Sequence, residues 1–211
     1  MNALIETSLL KWATGIIPKE ISSVIQVDSN EINAVFRLTC PDEGYFLKTG
    51  PDLQREYRRL KWLAGRISAP LPIAFRTFET KDAFLMSAID GENLAQLKAS
   101  LTPQIIITRL AAALKTIHAT DTSDWPFERK EGGVLVHGDA CLPNFMYRGD
   151  HLRGCIDVGD MSLDSPEIDL AAAVWSLQYN LGPGHGLPFL REYGVPNATE
   201  EDVERLRLLY E

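Results

Sequence analysis

The stretch VLVHGDACLPN (134–144) sets an apolar run directly before His137, Gly138 and Asp139, and Asn144 follows Asp139 by five residues. A second apolar run ends in Ile156, Asp157, Val158, Gly159 and Asp160. Two carboxylates and one carboxamide at the ends of neighbouring strands make up the set that phosphoryl transfer needs. One Asp orients an attacking hydroxyl and accepts its proton. An Asn and a second Asp hold Mg²⁺ against phosphates, because hard cations prefer oxygen ligands. HGD alone carries little, since an Asp after Gly in a loop is ordinarily a turn residue. The weight lies in HGD-x4-N followed by ID-x-G-D. His118, His137, Asp139 and Cys141 do not meet the spacing of a zinc site.

Elements must deliver these residues. EINAVFRLTC (31–40) is rich in β-formers with Phe36 and Leu38 on one face, PDEG (41–44) is a turn signal, and YFLKTG (45–50) reads as the returning strand of a hairpin. DLQREYRRLKWLAG (52–65) reads as a helix with Asp52 as N-cap, Gly65 as stop, and Leu53, Tyr57, Leu60 and Leu63 as its apolar stripe. Glu56 falls on the edge of that stripe, an odd place for a merely solvated glutamate. LPIAFRTF (71–78) and DAFLMSAIDG (82–91) read as strands. The second half is helical, over 102–120, over 164–180 with Ser165 as cap and Pro166 in the first turn, and over the closing EEDVERLRLLYE. The coarse picture is α+β: a β-rich part (1–85), a linker (86–92) and a mainly helical part (93–211).

The chain has 211 residues, 45% of them hydrophobic and 24% charged, which suits folded lobes with real cores rather than disorder. Its net charge of −8 argues against nucleic acid as a main partner and suits a cationic small molecule, although an acidic surface is also simply a soluble one. The opening MNALIETSLLKW lacks the form of a signal peptide, and no run of about 18 apolar residues predicts a membrane span. Cys40, Cys141 and Cys155 are odd in number with no CxxC pair, so no disulfide framework is expected and the cytoplasm is the default. Oligomeric state is not legible.

HGDACLPN, then GCIDVGD, then EIDLA resemble the aminoglycoside phosphotransferase family, relatives of protein kinases. HGD-x4-N resembles the kinase HRD-x4-N loop and IDVGD the kinase DFG. The resemblance implies a two-lobed protein-kinase-like fold, ATP or GTP as phosphoryl donor, Mg²⁺, and a hydroxyl acceptor. HGDACLPN is close to the kanamycin/neomycin type, which favours the 3′-hydroxyl of an aminoglycoside and implies antibiotic resistance. Asp139 would be the catalytic base, and Asn144 and Asp157 the metal ligands. Lys48 in YFLKTG would contact the α and β phosphates, and Glu56 would orient it. Met86 would sit behind the adenine, with the backbones of Ser87 and Ile89 on its edge. Ser29 and Asn30 align with the phosphate loop. His137 and Asp169 would be structural, Asp169 bonding the catalytic-loop backbone from its helix.

Three departures from the family bear on the acceptor. The family has a helical segment between the helix ending near Thr120 and the catalytic loop, where this chain has only DTSDWPFERKEGG. Glu31 falls where a small hydroxyl residue is expected. Asp160 stands where close antibiotic kinases carry an arginine, and Tyr179 and Asn180 where they carry an acidic pair; these three positions are the implied substrate contacts. Acids such as Glu200, Glu201 and Asp202 would add attraction for a polycation. Two other readings keep these residues: a kinase of another hydroxyl compound, and a nucleotide-binding relative without catalysis.

Overall fold

The computed structural model describes residues 6–29, 32–79, 81–128 and 130–210. They fall into two units. The first runs to Ala64 and adds Pro70–Ile89; the second takes Gly65–Ala69 and everything from Asp90 onward. Asn30 and Glu31 lie outside the described residues.

The first unit is an antiparallel sheet of β1 (Ser23–Ser29), β2 (Ala34–Thr39), β3 (Gly44–Gly50), β4 (Pro72–Thr77) and β5 (Asp82–Ser87), in the order β1-β2-β3-β5-β4. The predicted hairpin is β2–β3, with Phe36 opposite Leu47 and the turn closed by Cys40 N–H donating to Glu43 O at 2.9 Å. Side chains alternate between faces. Phe36, Leu38, Leu47 and Leu85 bury on one face with Leu9 and Ala13 of α1 (Thr7–Thr14). Full burial of one such leucine is worth about 1.5–3 kcal/mol. The opposite face carries Lys48 and its cross-strand partner Phe84. There lies α2 (Gln54–Leu63), whose Tyr57 ring meets Phe84 edge-on at 5.4 Å.

The helix expected over 52–65 is shorter than predicted, and Asp52 does not cap it. Asp52 adopts a left-handed conformation (φ 54°), and Leu53 precedes the first turn without a side-chain cap. Gly65, with φ 81°, does mark the stop. The helix α1 and the edge strand β1 were not foreseen.

The second unit is mainly helical. A short strand β6 (Glu92–Asn93) leads into α3 (Leu94–Leu97) and α4 (Pro103–His118), which opens with Thr102 Oγ1 accepting Ile105 N–H at 3.4 Å. Strands β7 (Val134–Val136), β8 (Phe145–Arg148), β9 (His151–Cys155) and β10 (Ser162–Asp164) form two small sheets, β10-β7 and β6-β8-β9. Then come α5 (Glu167–Leu181), α6 (Gly186–Tyr193) and α7 (Glu200–Tyr210). Leu170 to Val174 and Leu177 make α5 the buried centre, with α6 and α7 packed on it and α4 on α6. Helix α5 begins one residue beyond the expected first turn, after Pro166, and Ser165 Oγ accepts Glu167 N–H at 3.3 Å. Thr199 and Asp202 cap α7 reciprocally, Thr199 N–H donating to Asp202 Oδ2 at 2.9 Å and Asp202 N–H to Thr199 Oγ1 at 3.3 Å.

Between Thr120 and Gly133 the described residues form a loop. Trp125, 3% exposed, anchors it by donating Nε1–H to Glu128 O at 3.1 Å and packing edge-on against Phe127. Strands concentrate in the first unit and helices in the second, the α+β arrangement that the sequence implies. Among the described residues no helix is long and apolar enough to cross a membrane.

Candidate active site

Lys48 and Glu56 meet. The period of two puts Lys48 on the α2 face of β3, and the buried Glu56 accepts from Lys48 Nζ at 2.7 Å. A glutamate side chain only 6% exposed is costly unless paired, and the lysine is 18% exposed. This is the physical reason for its place beside the apolar stripe. Met86 and Ser87 end β5, Met86 buried and paired with Phe46. The Ser87 N–H donates to Leu71 O at 3.0 Å, and Ser87 Oγ accepts Leu71 N–H at 2.8 Å, so of its two backbone polar groups Ser87 can offer an adenine edge only the carbonyl. Ile89 follows, half-buried. Ser29 is exposed at the end of β1; Asn30 lies outside the described residues.

In the second unit β7 delivers the HGD loop. Gly138 has φ 87°, and a Cβ there would stand 2.6 Å from Asp160 O, so both conformation and space require glycine. Asp169, fully buried on α5, fixes the loop backbone: His137 N–H donates to Oδ2 at 2.7 Å and Gly138 N–H to Oδ1 at 2.9 Å. The His118 ring adds a bond to Asp169 Oδ2 at 2.9 Å and one to the Tyr193 hydroxyl at 2.7 Å. His137 is a strut. Its Nε2 faces Ile156 O at 3.0 Å and its Nδ1 lies 3.4 Å from Asp139 N–H, a pattern met by neutral imidazole protonated on Nε2. His118 and His137 are thus committed to the scaffold, and among the described residues no cluster of three or more His, Cys, Asp or Glu could hold a metal.

Asp139 itself is held on both oxygens. Asn144 Nδ2 donates to Asp139 Oδ2 at 3.0 Å and to its backbone carbonyl at 2.9 Å. The Tyr210 hydroxyl donates to Asp139 Oδ1 at 2.9 Å. Asn144 precedes β8, and its backbone carbonyl accepts Ile156 N–H at 2.9 Å, which brings it beside the residue before Asp157. Asp157 is exposed and left-handed, φ 58° and ψ 51°. Such a backbone in a non-glycine residue is uncommon and clusters at functional sites. The donor types suit a hard cation such as Mg²⁺: Asn144 turns its Nδ2 to Asp139, which directs its Oδ1 elsewhere, and Asp157 would offer a second oxygen.

The implied acceptor residues are placed less simply. Asp160 is exposed beside Gly138. Tyr179, 75% exposed, stacks on Trp175 at 5.2 Å with an interplanar angle of 7°. Asn180 is committed, its Oδ1 accepting from Lys98 at 3.2 Å and its Nδ2 donating to Ser176 O at 2.9 Å. Glu200, Glu201 and Asp202 occupy the first turn of α7, about 12–15 Å along the helix from Tyr210 at 1.5 Å per residue. They therefore do not stand beside the residue that touches Asp139. Sequence reasoning missed Tyr210: it lies 71 residues from its partner and reads as one more apolar residue of an amphipathic helix.

A family model described as the phosphotransferase enzyme family matches residues 23–133 and 130–209. An aminoglycoside 3′-phosphotransferase of Escherichia coli is 25% identical over 232 residues, covering 84% of this chain and 85% of the relative. That span exceeds the 211 residues here, so the relative carries residues without a counterpart in this chain. One from Niallia circulans is 23% identical over 208 residues, covering 75% and 79%. Among solved structures, an aminoglycoside-3′-phosphotransferase of type VIII superposes with a TM-score of 0.72 at 22% identity, covering 96% of this chain and 97% of the other. The ternary complex of APH(2″)-IIa with streptomycin and ATP does so at 0.72 and 16% identity, covering 99% and 88%. The fold is that of the protein-kinase-like phosphotransferases, and with nearly all of its length matched from residue 23 to residue 209, the chain belongs to the phosphotransferase enzyme family.

Proposed function

We propose that this chain is a Mg²⁺-dependent kinase that moves the γ-phosphoryl group of ATP (or GTP) to a hydroxyl of an aminoglycoside, and so confers resistance. The observation that carries the reading is the Asn144 carboxamide. Through Nδ2 it holds the Asp139 carboxylate, and its remaining oxygen is the right donor for a hard cation. In the reaction, Asp139 accepts the proton of the acceptor hydroxyl as that oxygen bonds to the γ-phosphorus and the nucleoside diphosphate leaves. Lys48, oriented by Glu56, balances charge on the α and β phosphates, and Asn144 and Asp157 are the residues that would hold the metal. Mg²⁺, when bound, would neutralise phosphate charge. Met86 would back the adenine, with the Ser87 carbonyl and the Ile89 N–H on its edge; Ser29 and Asn30 would lie near the phosphates. Asp160 and Tyr179 would face the acceptor. The named activities of relatives in Escherichia coli and Niallia circulans support the acceptor class.

One observation favours a second reading. Asn180 is bonded to Lys98, a cation where a polyamine would need an anion. This suits a kinase of a less cationic hydroxyl compound. A Mg²⁺-dependent transfer assay with ATP and GTP against aminoglycosides, macrolides and simple amino-alcohols separates the readings. Aminoglycoside phosphorylation supports the first. Turnover confined to the other acceptors supports the second, and nucleotide binding without any transfer would leave only a binding module.

A further inference from the structure

The Asp139 carboxylate is clamped from both sides, and one side of the clamp comes from the far end of the chain. Asn144 holds Oδ2 at 3.0 Å. The Tyr210 hydroxyl holds Oδ1 at 2.9 Å. That hydroxyl has a single proton; with the proton given to the carboxylate, its oxygen is left to accept from the Cys141 thiol at 3.4 Å. The ring is aimed by packing: Trp175 of α5 lies 5.3 Å from it at 45°, Leu206 one turn earlier is buried, and Arg205 pairs with Glu167 at 2.8 Å. Burial, followed by the neighbouring Cys141 and Asp139, raises the phenol's pKa, which keeps it a donor throughout the working pH range. Burial, followed by the nearby Asp139 carboxylate, likewise pushes the Cys141 thiol up to about 12, so it stays protonated.

We propose that Tyr210 is a positioning residue for the Asp139 base, fixing the carboxylate through Oδ1 while Asn144 fixes it through Oδ2, so that docking of α7 on α5 sets the orientation of the base. A carboxylate offers roughly four lone-pair sites, and the two clamps leave room for an acceptor hydroxyl as a third donor. Free rotation of the Asp139 side chain would spread the base over orientations that cannot take the proton, and effective catalysis depends on that geometry. The inference rests on the proposed role of Asp139 as base, and it adds a residue that neither the loop motif nor its spacing contains.

Tyr210→Phe keeps the ring and removes only the hydroxyl. With ATP, Mg²⁺ and kanamycin, kcat should fall roughly ten- to a hundredfold, the range expected for one hydrogen bond to a charged group. KM for ATP should stay unchanged. An unchanged kcat overturns the proposal, and so does a raised one, which would mean that Tyr210 blocks the acceptor. A fall in kcat matched by a weaker ATP KM also overturns it, as a merely structural effect. A measurement without turnover tests the contact itself. With tyrosines labelled with ¹³C at the hydroxyl-bearing carbon, Asp139→Asn should move the resonance that Tyr210→Phe deletes. If Tyr210→Phe does not fold, the Asp139→Asn spectrum decides alone, and no movement among the six tyrosines overturns the proposal. Failure of the wild-type protein to phosphorylate any aminoglycoside would count against the acceptor reading, while the spectrum would still test Tyr210.

Discussion

The two units hold their charged residues in opposite ways. In the first, Lys48 and Glu56 stand 8 residues apart and form an ion pair, positioned by strand periodicity and a packed helix. In the second, Asp139 is fixed by groups 5 and 71 residues away, and its loop is fixed by Asp169, which bonds residues 31 and 32 positions earlier. The pair that would meet a flexible polyphosphate is joined by a contact local in sequence. The carboxylate that would take a proton has both oxygens and its supporting backbone constrained. Proton transfer depends on angle and distance more steeply than attraction between charges does.

The sharpest way to break this contrast is at Asp139. Asp139→Asn should lower kcat by about 10² to 10⁴ while nucleotide affinity stays near that of the wild type. Steady-state kinetics and a fluorescent-nucleotide titration read the two effects, and near-native turnover would remove the base from the account. The support beneath it comes next. Asp169→Ala leaves the His137 and Gly138 N–H groups buried without their acceptor and the His118 Nε2 without its partner, and should lower unfolding free energy by about 2–5 kcal/mol in urea titrations. A change under about 0.5 kcal/mol would show that the loop holds itself.

Smaller effects separate the two units. Asp157→Ala should weaken nucleotide binding in Mg²⁺ more than Asn144→Ala does, because a carboxylate ligand contributes more than a neutral one, and the gap should close in EDTA. Equal affinities for both variants and the wild type in Mg²⁺ would argue against the metal assignment. In the first unit, Lys48→Ala and Glu56→Gln should each raise KM for the nucleotide. Their double mutant should fall short of additivity by about 0.5–3 kcal/mol, as expected for residues in direct contact. Strict additivity would mean that the ion pair does not orient the lysine.

What the sequence made legible follows the same division. The β2–β3 hairpin and the odd place of Glu56 beside its apolar stripe were readable because each depends on a period of two or of 3.6 within a short stretch, whereas Lys48 and its pairing with Glu56 came from the family resemblance. HGD-x4-N and ID-x-G-D were readable because the loop brings its own residues together over short spans. Asp52 misled because a capping residue type sat just before a helix, whereas the left-handed turn there starts the helix two residues later. Tyr210 and the bond from Lys98 to Asn180 join residues 71 and 82 positions apart, and tertiary packing of α7 and α3 decides such contacts. One of the implied acceptor residues, Asn180, is held by such a contact, and substrate choice was the least legible part.

The most direct test of the central claim incubates kanamycin with the protein, ATP and Mg²⁺, beside the Asp139→Asn variant, and follows the products by ³¹P NMR and mass spectrometry. The account predicts a phosphate monoester on the antibiotic, formed in step with ADP by the wild-type protein and nearly absent with the variant. ADP released without a phosphorylated antibiotic, or equal product from both proteins, would contradict it.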